Sequence, residues 1–132
     1  MIRAHYDAFK ALLTEAPNPL VVYDAESANK ATGLYVTLYP DTGTREAVDL
    51  ADANPQRRWT VRTVVSGGTL DQVNKGMEAV WERLDLVRPV VEGRACTRIK
   101  NILARQAERD DDVSPATFYA VADWRWYSNP TA

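Results

Sequence analysis

Cysteine is nearly absent from this chain. The single thiol, Cys96, excludes an internal disulfide and a cysteine-built zinc site. One thiol in 132 residues fits a reducing compartment. Histidine is as scarce: His5 is the only one, and nothing near it in sequence offers a catalytic partner. No apolar run approaches the roughly 18 residues of a membrane span, and the N-terminus does not read as a signal peptide. The expectation is a soluble intracellular protein with no membrane partner. An excess of positive charge is also missing. With 16 Lys and Arg against 18 Asp and Glu, the net charge is -2, so electrostatics give no case for tight nucleic-acid binding. Fingerprints of catalysis are lacking as well: no G-x-S-x-G, H-E-x-x-H, phosphate loop or dinucleotide motif occurs. No catalytic, cofactor-binding or metal residue is assigned, and a non-enzymatic role is expected.

What is present is clearest over residues 59–84. Trp59, Val61, Thr63 and Val65 alternate with Thr60, Arg62 and Val64, a period of two rich in β-branched side chains that predicts a strand. Ser66, Gly67 and Gly68 break it. Thr69 then reads as a helix N-cap, with Gln72 three residues on to complete a capping box, and Asp71 suits the positive end of the helix. Leu70, Val73, Met77, Val80, Trp81 and Leu84 fall on one helical face, which predicts a helix lying across the sheet that holds the strand.

The rest of the chain arranges itself around that unit. Residues 2–16 predict a helix with Ile2, Tyr6, Phe9 and Leu13 as its apolar stripe, stopped by Pro17. Residues 20–24 and 34–39 predict strands, the second with Leu34, Val36 and Leu38 on one face. A turn at 40–43 leads into the polar stretch 44–58, read as a short strand or a projecting hairpin. Residues 94–103 alternate weakly and predict one strand; 104–114 read as a charged loop. The last strand, 117–127, sets Phe118, Ala120, Ala122, Trp124 and Trp126 against Tyr119, Val121, Asp123, Arg125 and Tyr127. One of these faces packs on the helices, and the other is free to meet a second core layer or a neighbouring subunit. The fold class is therefore α+β: one domain over residues 1–132, with a mainly antiparallel sheet of four to five strands. An N-terminal helix and a central helix pack on one face, and loops project at about 25–33, 40–58 and 104–116.

Three local features invite chemistry and have plainer explanations. Gly67 and Gly68 before a helix can hold an anion, but read more simply as the turn that re-aims the chain. Asp110, Asp111 and Asp112 offer oxygen ligands to a cation, yet lack the glycine and distal glutamate of a calcium loop, and read as a solvated acidic loop. Cys96 reads as a small, semi-buried residue.

The 59–84 unit, then Val90, Val91, Glu92, Gly93 and Arg94, then the three aspartates ahead of Phe118, Tyr119, Ala120 and Val121, together resemble the tail terminator (tail completion) proteins of long-tailed bacteriophages. The resemblance covers nearly the whole chain, in the order of elements more than in identities. It implies a virion structural protein at the tail–neck junction, assembled in the host cytoplasm. Such a protein forms a hexameric ring on the head-proximal end of the tail tube. Its partners are other copies of itself, the tube protein and the head–tail connector, and DNA only passes through the channel. No cofactor is implied. Another head–tail joining protein, a connector or stopper, is the alternative, and a non-viral oligomeric binding module a third. On this reading Arg45, Glu46, Asp49, Arg57 and Arg58 supply pairs between subunits, and Asp110, Asp111 and Asp112 face a partner or the channel. Trp124 and Trp126 join the candidate interface.

Overall fold

Two long strands with matching period-two patterns form the centre of the molecule. The computed structural model describes residues 1–15, 19–25, 33–45, 56–111 and 117–131. The elements are α1 (Ile2–Thr14), β1 (Val22–Asp24), β2 (Tyr35–Pro40), β3 (Thr44–Arg45), β4 (Arg57–Gly67), α2 (Leu70–Leu84), β5 (Arg94–Cys96), β6 (Lys100–Ala104), β7 (Glu108–Asp110) and β8 (Thr117–Pro130). β4 and β8 pair antiparallel from Arg57 opposite Ser128 to Gly67 opposite Phe118. The described residues form an 8-stranded sheet in the order β1-β2-β4-β8-β5. β3 follows β2 along the outer side of β4, and β6 and β7 follow β5 along the outer side of β8. Only β1 and β2 run parallel. The sheet is therefore mainly antiparallel with helices on one face, as the alternation predicts, but it has eight strands where four to five are expected, because the short β3, β5, β6 and β7 pair along the two long strands.

Register places Trp59 beside Trp126, Val61 beside Trp124, Thr63 beside Ala122 and Val65 beside Ala120. These pairs share one face of the pleat, and α1 and α2 cover it. Phe9 stacks on Trp126 at 5.4 Å between ring centroids, and Trp81 meets Trp124 edge-on at 5.0 Å. Phe9, Leu13, Val36, Leu38, Val73, Val80 and Leu84 complete the buried layer. The Trp124 indole N–H donates to Thr63 Oγ1 at 3.1 Å, and that hydroxyl donates on to the Ala122 carbonyl at 3.0 Å. Trp126 has no such partner for its indole N–H among the described residues.

α2 spans the predicted residues, and Thr69 caps it by accepting the Gln72 amide at 3.1 Å. The Gln72 side chain reaches back one residue further than a capping box requires, to the Gly68 amide at 2.9 Å. Leu70 departs from the predicted stripe: it is 48 % exposed, because at the first helical position it has not yet reached the sheet. Gly76 replaces it as the close contact. A Cβ there would stand 2.6 Å from a Leu34 methyl and 2.8 Å from a Val65 methyl.

Three segments differ from the sequence reading. β4 begins at Arg57 and carries through Ser66 to Gly67, since β8 is long enough to pair with all of it. The single strand expected over 94–103 is two. Ile99 leaves the ladder because its amide bonds the Val87 carbonyl at 2.8 Å and its own carbonyl accepts from Leu86 at 2.9 Å. Its side chain drops into the core. The charged loop expected over 104–114 contains β7, which pairs with the start of β8.

Candidate functional site

The helices cover one face of the sheet, and among the described residues nothing covers the other. Parity along β4 and β8 puts Arg58, Thr60, Arg62 and Val64 on that face beside Tyr127, Arg125, Asp123 and Val121. β2 adds Tyr39, opposite Arg62. Arg62, Val64, Tyr119, Val121 and Asp123 line a hollow of about 480 Å³ together with Tyr39, Pro40, Asp41 and Thr60. Across it, Arg62 grips Asp123 with two parallel bonds, Nε to Oδ1 at 2.8 Å and a terminal nitrogen to Oδ2 at 3.1 Å. The pair raises the Arg62 pKa, chiefly through the hydrogen bond to Asp123. At the rim the Tyr119 hydroxyl donates to Glu108 at 2.9 Å, which pushes the phenol pKa up. The lining is largely apolar, and one ion pair crosses it.

The helix-covered face ends in a buried polar cluster. The Ser128 hydroxyl lies 2.8 Å from His5 Nε2, 3.0 Å from the Trp59 indole nitrogen and 3.1 Å from an Arg94 guanidinium nitrogen. His5 Nδ1 stands 2.7 Å from the Met1 carbonyl, which can only accept. The proton therefore sits on Nδ1, Ser128 donates to Nε2, and the serine lone pairs accept from Trp59 and Arg94. That arrangement requires a neutral imidazole. Burial lowers the His5 pKa, and positive charge from Arg94 and Arg57 adds to the effect, while the bond to Met1 opposes it. His5 and Ser128 are both fully buried, and the His5 ring stacks on Trp59 at 4.1 Å. A serine and histidine in contact here form a core network, closed to any substrate.

The structure separates the residues that sequence grouped as an interface. Trp124 and Trp126 are core residues, fully enclosed beneath α1 and α2, so the free aromatic face of β8 is the opposite one, with Tyr119 and Tyr127. Arg57 and Arg58 point to opposite faces. Arg57 shares the face of Trp59, where its charge reaches His5 and Arg94, and only Arg58 lies on the open face. Asp110 ends β7 opposite Thr117. Asp111 is exposed and paired with Arg109 at 2.6 Å. Arg45 pairs with Arg57 through the backbone of β3. Glu46, Asp49 and Asp112 lie outside the described residues, as does the 26–32 part of the expected loop. Among the described residues no group of His, Cys, Asp and Glu could hold a metal ion, and no helix is long and apolar enough to cross a membrane. Burial raises the Cys96 pKa, so the thiol is poorly placed for nucleophilic work.

Sequence reasoning missed three cations on the open face: Arg98, Lys100 and Arg125. The signal existed for Arg125, which alternates with the tryptophans. The alternation over 94–103 sets Arg98 and Lys100 on one side of the expected strand, but nothing local brings that side to Arg125.

No protein-family model matches the chain, and no curated protein matches it. Its fold is shared with solved structures. A chain of the virion of a native gene transfer agent particle superposes with a TM-score of 0.67 at 18 % identity, covering 98 % of this chain and 94 % of that one. A second solved chain, whose name states no role, superposes with a TM-score of 0.54 at 14 % identity over 99 % of this chain and 95 % of its own. The likeness runs end to end in both, so the chain shares its fold with these two solved chains.

Proposed function

We propose that this chain is a structural protein of a phage-like virion, and within it the terminator of the tail tube. Its subunits form a hexameric ring on the head-proximal end of the tube, stop further addition of tube protein, and offer the connector of the filled head a docking surface. Its role is mechanical and not catalytic, it needs no cofactor, and DNA touches it only in passage. The observation that carries this reading is the end-to-end likeness in fold to a chain of a gene transfer agent virion. The order of elements shared with tail terminators supports the finer assignment. The open sheet face supplies what a subunit needs, a surface with apolar floor and paired charges that nothing in the described chain covers.

Electron microscopy of particles assembled without this gene tests the proposal. Abnormally long tails beside unattached filled heads are expected. Tails of normal length beside separate heads would assign the chain instead to a joining protein on the head side. Intact virions of normal form would end the structural reading.

A further inference from the structure

Beside the larger hollow, the open face carries a second one of about 340 Å³, where Arg98, Lys100 and Arg125 meet around Ile102 and Tyr127. Lys100 and Arg125 are opposite each other on neighbouring strands, which sets their backbones roughly 5 Å apart. No carboxylate among the described residues lines this hollow. The Arg125 Nε is shut off from solvent and has no hydrogen-bond partner among the described residues. Ile102 is left exposed beside it. Three cations gathered without an acid repel one another until opposite charge arrives.

The other side of the molecule carries that charge. On the outer stripe of α2, Asp71 and Lys75 offset each other at 3.1 Å. Arg83 turns inward to bond the Leu13 carbonyl at 2.9 Å. The net charge of the stripe therefore falls on Glu78 and Glu82, both exposed. One turn separates them, roughly 6 Å along the axis. Two acidic residues set roughly 6 Å apart along a helix face the same way, as do two basic residues whose backbones stand roughly 5 Å apart.

We propose that the hollow formed by Arg98, Lys100 and Arg125 receives Glu78 and Glu82 from a second copy of this chain. The helices and the hollow lie on opposite faces of the sheet, so the contact is head-to-tail. Each copy gives its helix stripe to one neighbour and its hollow to the other, and such contacts repeat into a closed ring or a filament. Single exposed ion pairs are weak, but several act together at each contact, and every contact repeats around the ring. The contact identifies the two surfaces that close the ring, and so rests on the proposed role as a ring subunit.

Sedimentation velocity on the full chain at low ionic strength reads it. Four proteins are compared: the native chain, Glu78→Lys with Glu82→Lys, Arg98→Glu with Lys100→Glu, and all four changes combined. All four positions are exposed, and circular-dichroism melting checks that each variant is folded. The native chain is expected to assemble, with assembly weakened by added salt. Either reversal should shift the population to monomer, by tenfold or more in association constant. The combined chain, or an equimolar mixture of the two reversals, should assemble again. Three results overturn the contact: an unchanged mass for either reversal, a combined chain that stays monomeric, or a native chain that stays monomeric at every concentration. Binding of duplex DNA that is lost in the Arg98→Glu, Lys100→Glu variant, with no assembly of the native chain, would give the hollow to a polyanion. Those failures leave the tail-length phenotype standing, whereas intact virions without the gene would remove the ring reading itself.

Discussion

Replacing Ser128 with alanine should destabilise the protein far more than the loss of one oxygen suggests. Three groups meet at that hydroxyl: His5, Trp59 and Arg94. Without it the buried Trp59 N–H has no acceptor, which costs about 1–3 kcal/mol. His5 Nε2 loses its donor, about 1 kcal/mol more. Arg94 keeps the Ser128 backbone carbonyl at 2.9 Å and loses less. The sum is about 2–4 kcal/mol. For a chain of this size that lowers the melting temperature by roughly 10 °C. Urea denaturation at pH 7.5 measures it, with equal slopes required of both proteins. Ser128→Ala within about 0.5 kcal/mol of the native chain would refute the reasoning, since a buried indole N–H would then be left unpaired at no cost.

Three further outcomes follow from the same geometry. The folded His5 has a pKa below its ordinary 6.5, so as pH falls the unfolded chain takes up the proton first. Stability should be complete above about pH 6.5 and decline as pH drops from there towards the folded pKa; His5→Gln, assayed alongside by urea midpoint, should lose that slope. Gly43 holds a φ of +82° and a Cβ there would stand 2.6 Å from the Trp59 ring, a ring already held by His5 and Ser128. Gly43→Ala should therefore cost about 2–4 kcal/mol, and a melting temperature equal to native would contradict it. Thr69→Ala removes the acceptor for the Gln72 amide and should cost about 1 kcal/mol by urea denaturation.

The central unit was legible because each level of the sequence agreed with the next. Alternation in β4, the Thr69 cap and the apolar spacing of α2 point to the same strand, turn and helix. β8 was legible for the same reason, and its two aromatic faces imply one side packed on the helices and a second that meets either another core layer or a neighbouring subunit. Which face was buried did not follow, because Trp124, Trp126, Tyr119 and Tyr127 are all aromatic. The choice is made by partners distant in sequence, Phe9 and Trp81. The break at Ile99 depends on backbone bonds to Leu86 and Val87, which no local pattern announces. His5 was hidden likewise: its partner Ser128 lies 123 residues away. The cationic hollow needs the strand pairing of Lys100 with Arg125, so it could not be seen until the register was known.

The position of the chain in an assembled particle tests the proposed function most directly. Antibody against it, gold-labelled and imaged on intact particles and on separated tails, should mark a single end of each tail, the end that meets the head. Label spread along the tube, or confined to heads and absent from every separated tail, would contradict a terminator.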